Sequence, residues 1–102
     1  MPAIDYFELH RQTDNLVYQF DRLLAQNGSY GYKRRDGDFW ILHKAGKGWI
    51  AVDPVTGDIA GRPWFVEPKD QLDCPPEGEW VSKKGKKSYV YDLIYTEKPE
   101  KL

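Results

Sequence analysis

His10, His43 and Cys74 are the side chains of this 102-residue chain whose types best suit metal ligation or nucleophilic attack. Their spacing supports neither. A structural or catalytic zinc needs several ligands at short, defined separations, and two distant imidazoles with one thiol do not supply them. Cys74 precedes Pro75-Pro76, with no helix start near it in sequence to activate the thiol, so a nucleophile is not expected there. His43 ends an apolar run and reads as a hydrogen-bonded, partly buried histidine. Its chemical alternative is to polarise a pocket lined by Tyr and Trp, as a general base or a ligand contact. Gly46-Lys47-Gly48 and Gly28-Ser29-Tyr30-Gly31 read as turns, since neither follows a strand and opens a helix as a phosphate loop must. These residues imply no catalytic site, no metal and no cofactor.

Charge offers more than reactivity does. Carboxylates collect at Asp53, Asp58, Glu67, Asp70, Asp73, Glu77 and Glu79, relieved by Arg62 and Lys69. Such a region could meet a basic partner, as inhibitors of nucleases do. Arg62, Trp64 and Phe65 add a guanidinium and two rings in a loop-like stretch, the combination that concentrates at interface hot spots. The preferred reading is therefore a protein-interaction module, inhibitor-like or self-associating, using Arg62, Trp64, Phe65, Asp58, Asp70 and Asp73. Lys83, Lys84, Lys86 and Lys87 supply the opposite chemistry at a hairpin tip. With Trp80 and Tyr89 nearby they could follow a single-stranded nucleic acid, extended by Lys33, Arg34, Arg35, Lys44 and Lys47. Lysines also simply blunt a hairpin.

The elements that must position these groups divide the chain in two. Tyr6, Leu9, Thr13, Leu16, Val17, Phe20, Leu23 and Leu24 recur at steps of three and four, which predicts a helix over Ile4 to Asn27. Asp5 and Glu8 resemble a capping box, and Asn27-Gly28 a stop. Arg11, Asp14 and Gln19 would lie on its polar face. A break near Thr13-Asp14 would instead give two shorter helices. From Ser29 onward the pattern predicts strands: Tyr30 to Arg35, Asp38 to His43, Trp49 to Val52, Asp58 to Gly61, Glu79 to Lys83 and Lys87 to Tyr95. Asp36-Gly37, Asp53-Pro54-Val55-Thr56-Gly57 and Lys84-Gly85-Lys86 supply the turns between them. Tyr89, Tyr91, Leu93 and Tyr95 share one face of the last strand.

Length, composition and charge bound the rest. A chain of 102 residues makes one domain, residues 1–102, with the helix region in 1–28, the sheet in 29–95 and a frayed tail in 96–102. Hydrophobic residues are 40% and charged residues 30%, ordinary for a soluble globular protein. A formal net charge of −1 gives no bulk attraction to nucleic acid or anionic membrane. No apolar run approaches membrane-helix length, the N-terminus does not read as a signal peptide, and a lone cysteine fits a reducing compartment. A cytoplasmic protein without membrane contact is expected.

Two stretches resemble known modules. Pro75-Pro76-Glu77-Gly78-Glu79-Trp80, followed by Lys84-Gly85 and Tyr89-Val90-Tyr91, resembles the opening of a WW domain, a small binder of proline-rich ligands, without the second tryptophan of its groove. Trp49 to Ile59 is similar to a hairpin of small inhibitor-like and immunity-like domains, a likeness that turn chemistry alone explains. The resulting expectation is an α+β fold: an N-terminal helix packed on a curled, mainly antiparallel sheet of five to six strands built from sequential hairpins. Apolar groups on both faces of the strands demand cover on both. Strong curling, a second layer from Phe65 to Gly78, or a dimer would provide it.

Overall fold

The structure is a computed structural model and describes residues 4–25, 28–63, 65–71, 73–84 and 86–97. It is a closed, all-antiparallel barrel of eight strands in sequential order. The strands are β1 (Tyr6–Arg11), β2 (Val17–Leu24), β3 (Tyr30–Arg34), β4 (Trp40–Lys44), β5 (Gly48–Val52), β6 (Ile59–Pro63), β7 (Gly78–Lys84) and β8 (Lys87–Tyr95). The α+β expectation is overturned. No α-helix occurs among the described residues, and the segment expected to be the N-terminal helix forms β1, a turn and β2. The sheet has eight strands, where five to six were expected.

The reason lies in two periodicities that share the same residues. Leu9 and Phe20 belong to a helical stripe, but Phe7-x-Leu9 and Tyr18-x-Phe20 also alternate at the strand period. Aromatic and β-branched residues favour the extended choice. Asp14 and Asn15 then turn the chain. Asn15 adopts φ 58°, a left-handed conformation that asparagine tolerates better than most residues. The Asp14 carboxylate accepts the Leu16 amide at 3.3 Å, and the Arg11 amide donates to the Leu16 carbonyl at 2.8 Å. Glu8, read as a helix cap, instead accepts from the Tyr6 hydroxyl at 2.6 Å and bonds His10 at 2.8 Å on the outer face of β1. Asn27 lies outside the described residues.

Closure is the larger consequence. β1 pairs with β2 on one side and with β8 on the other, with Leu9 opposite both Tyr18 and Leu93. A helix would have left the edge of β8 open, whereas a closed barrel has no free edge. Inner faces carry Phe7, Leu9, Phe20, Tyr32, Ile41, Trp49, Trp80, Tyr91 and Leu93 into one buried cluster. The connection after β6 covers part of the outside: its 3-10 turn, Pro68–Asp70, lies against β5. There the Trp49 amide donates to Gln71 Oε1 at 2.7 Å, and Gln71 Nε2 reaches the Val66 carbonyl at 3.3 Å. Ile50, on the face of β5 opposite Trp49, is fully buried. No helix among the described residues is long and apolar enough to cross a membrane.

Candidate functional site

In an up-and-down barrel alternate turns gather at the same end. The β1–β2, β3–β4, β5–β6 and β7–β8 turns share one mouth, and the lumen behind it is not filled. A cavity of about 320 Å³ opens there, lined among others by Leu9, Phe20, Ile41 and Trp80 below and by Tyr18, Phe39, Tyr89 and Tyr91 around it. The sequence explains the void. Ala51 pairs with Gly61, and Gly61 pairs with Ser82, so three neighbouring strands set small residues side by side at one level of the wall. At Gly61 a side chain would be crowded: a Cβ would sit 3.0 Å from the Val81 carbonyl oxygen and 3.2 Å from Ser82 Cα, so the neighbouring strand would have to give by a few tenths of an ångström.

Two arginines line the same cavity from strand positions whose parity points inward. Arg11 follows Leu9 by two residues, and Arg34 follows Tyr32 by two. Arg34 lies with its guanidinium carbon 4.3 Å from the Tyr18 ring centroid and 3.8 Å from that of Phe39. Arg11 lies 5.2 Å from the Tyr89 centroid, and Tyr18 and Tyr91 are 6.0 Å apart. These contacts form a chain of rings and cations around the mouth, of the kind that cation–π attraction stabilises. Each arginine is also tied to its own turn. Arg11 grips Asp14 through Nε at 2.8 Å and Nη2 at 2.5 Å, while Arg34 pairs through Nε with Asp36.

Electrostatics follow from these contacts. The hydrogen bonds from Arg11 hold the Asp14 carboxyl down at about 2, and Asp14 in turn raises the Arg11 guanidinium above its ordinary value. Burial pushes the Tyr91 phenol up, although Arg11 opposes this by hydrogen bonding to it. At neutral pH the mouth therefore presents the neutral Tyr91 phenol beside guanidiniums that are each paired with a carboxylate, Arg11 with Asp14 and Arg34 with Asp36.

The opposite end holds a more open concavity of about 540 Å³, lined by Arg22, Ser29, Tyr30, Tyr32, His43, Trp49 and Asp73. Arg22 stacks on Tyr30 at 4.0 Å, and the exposed His43 meets the Trp49 ring edge-on at 5.4 Å. The Tyr32 hydroxyl closes the floor by donating to the Ile4 carbonyl at 2.6 Å. Cys74 stands beside it, its sulfur accepting the Ile4 amide at 3.2 Å. Among the described residues no three or more His, Cys, Asp or Glu converge to hold a metal ion.

The residues singled out from the sequence are distributed between these ends. Asp58 precedes β6 at the cavity mouth, whereas Phe65, Asp70 and Asp73 belong to the connection that leaves β6 at the other end, and Arg62 is exposed on β6 between them. The acidic set is thus divided, with Asp53 lining the first cavity and Asp73 the opposite concavity. Trp64 lies outside the described residues. Lys83, Lys86 and Lys87 are exposed or partly so around the β7–β8 turn, and Lys83 lines the cavity. Lys84 pairs with Lys87 through the backbone. Trp80 is 2% exposed and donates its indole N–H to the Pro76 carbonyl at 2.9 Å, so a base at this hairpin would meet Tyr89 instead.

Sequence reasoning passed over Arg11, Tyr18 and Phe39 as members of a site, and met Tyr91 only as a ring near the lysine hairpin. It set Arg11 on the solvent face of a helix and Arg34 in a diffuse basic surface. A signal existed, because each arginine occupies the apolar parity of an alternating strand, but reading it required the strand assignment first. The chain matches no family model, no curated protein and no solved structure.

Proposed function

We propose that this protein is a small-molecule binding barrel that takes a flat, largely apolar ligand into the mouth between the β1–β2 and β5–β6 turns. One observation carries the reading: an eight-stranded barrel is just wide enough to fill with side chains or to hold one small ligand, and here the Ala51–Gly61–Ser82 row leaves about 320 Å³ unfilled. That volume is at the lower end of small-ligand pockets, which run from roughly 300 to 1,000 Å³. Its walls combine apolar rings with a few polar groups, the composition such sites share.

The test is a titration with neutral flat probes (cinnamyl alcohol, indole and naphthol), followed by amide chemical shifts. Binding should move the amides of Leu9, Ala51, Gly61 and Tyr91 and leave those of Ser29, Tyr30 and His43 still. Ala51→Leu, which fills the lumen, should remove the response while the protein still unfolds cooperatively. Responses confined to the opposite mouth, or none at all, overturn the proposal.

The lysines favour a second reading. Lys83 lines the cavity and Lys86 and Lys87 rim it, so a single-stranded nucleic acid could place a base in the mouth and run its phosphates along the hairpin. Its mark is affinity for an oligonucleotide that falls steeply with salt and is lost when Lys83, Lys86 and Lys87 become alanine.

A further inference from the structure

We infer that the barrel mouth selects a planar aromatic acid, with Arg34 as the residue that reads its anionic group. The inference rests on the small-molecule reading above and adds the charge of the ligand to it. Arg34 is an unusual lining residue for a pocket that needs only apolar walls. Its side chain is 18% exposed, held behind the rim rather than extended into solvent. Two rings, Tyr18 and Phe39, pack against the guanidinium and restrict its plane.

Its donors are divided in a way that leaves work undone. The ion pair with Asp36 uses Nε. Among the described residues no hydrogen bond occupies Nη1 or Nη2, although the residue lines the cavity. A purely structural arginine would spend its fork on the protein. Arg11 does so: its Nε and Nη2 take both Asp14 oxygens. The two cations thus play different parts, Arg11 spent on its own turn beside Tyr89 and Arg34 lining the cavity with Nη1 and Nη2 uncommitted among the described residues.

A guanidinium edge matches a carboxylate in geometry as well as charge, and such contacts are about twice as strong as neutral ones. Lys83 adds positive charge to the lining. The lining carboxylate, Asp53, is turned to its own loop, where its Oδ1 accepts the Val55 and Thr56 amides at 2.8 and 3.1 Å. The ring of the ligand would lie between Tyr18, Tyr91 and the Ala51–Gly61 wall, and its acid group would meet Arg34. Restricted rotation of Arg34 by its ring neighbours lowers the entropy lost on binding.

The experiment compares cinnamate, cinnamyl alcohol and cinnamylammonium by calorimetry on the full chain at neutral pH. Cinnamate should bind tenfold or more tightly than the alcohol, about what one charge-assisted contact supplies, and the ammonium more weakly than either. Rising ionic strength should narrow the gap between acid and alcohol. In Arg34→Gln the acid-to-alcohol affinity ratio should fall to about one. If that variant fails to fold, the charge series and its salt dependence in the unaltered chain decide the matter. Equal affinity for acid and alcohol overturns the anion inference and leaves the small-molecule reading standing. Failure of all three probes to bind overturns both.

Discussion

Phe7 of β1 and Phe20 of β2 are directly opposite in register, and their rings stack with centroids 5.0 Å apart and planes 15° from parallel. Phe7 also meets Tyr32 at 4.8 Å, and Tyr32 meets Trp49 edge-on at 5.8 Å. This ladder of rings crosses the lumen and separates the two mouths. Phe20 is 4% exposed, so Phe20→Ala should lower the unfolding free energy by about 3–5 kcal/mol, the cost of losing a buried ring and leaving a cavity. Phe20→Leu should cost less than half as much. Equilibrium urea denaturation measures both; a loss below about 1 kcal/mol for the alanine variant contradicts the packing.

The β1–β2 turn depends on one backbone angle. Asn15 at φ 58° occupies a conformation that costs most side chains about 1–2 kcal/mol and glycine nothing. Asn15→Gly should therefore unfold within about half a kcal/mol of the parent, while Asn15→Ala should lose about 1 kcal/mol. Identical melting of the two variants would show that the turn does not require a left-handed residue.

Gly48 and Gln71 hold the outer connection against β5. Gly48 has φ 74°, and a Cβ there would come within 2.5 Å of Gln71 Oε1, the acceptor for the Trp49 amide. Gly48→Ala and Gln71→Ala should each cost about 1–3 kcal/mol, through backbone strain in the first and an unpaired amide in the second. Because both break the same contact, a double-mutant cycle should give less than the sum. Strict additivity would mean that the contact is not shared.

The Tyr6–Glu8–His10 network gives stability a pH window with two edges. Burial alone would raise the Glu8 carboxyl, but hydrogen bonds from Tyr6 and His10 outweigh it and lower the value. A folded value below the unfolded one means that Glu8 contributes above its ordinary range and loses that contribution as pH falls through the folded value. Tyr6 runs the other way. Burial first, and its bond to Glu8 second, push its phenol from 10.0 to about 12. Its contribution is complete below the unfolded value and is lost as pH rises through the folded one. Glu8→Gln should flatten the acid limb of a stability profile. Tyr6→Phe should reduce the alkaline limb between 10.0 and about 12, with Tyr32, Tyr91 and Tyr95, also raised by burial, carrying the remainder. Unchanged limbs in the two variants would remove this network from the pH response.

Parts of the candidate site are legible in the sequence. Tyr89, Tyr91 and Leu93 share a face in the sequence pattern, and the three are inner-face residues of β8. Lys83 and Lys87 were identifiable as a hairpin rim. The cavity was not, because it depends on Ala51, Gly61 and Ser82 falling side by side on three strands, a matter of register between segments that no single segment encodes. Arg34 could be seen only as one of three consecutive basic residues, Lys33, Arg34 and Arg35. Strand parity turns it inward, while Arg35 bonds Asp21 on the outside at 2.7 Å.

From Tyr30 to Tyr95 the sequence by itself determined where strands run and where the chain turns, because alternation and the backbone freedom of Gly, Asn, Asp and Pro act within a few residues. The state of Ile4 to Leu24 was decided by the tertiary structure. Leu9 and Phe20 satisfy a helical stripe and an alternating strand equally, so periodicity does not choose between them and aromatic propensity only leans toward the strand. The edge of β8 settles it. Leu93 and Tyr91 offer β1 a ladder of backbone hydrogen bonds and a second apolar wall, which an extended segment can take up and a helix cannot. Closing that seam buries the ring ladder, creates two mouths, and brings Arg11 and Arg34 into the same lumen.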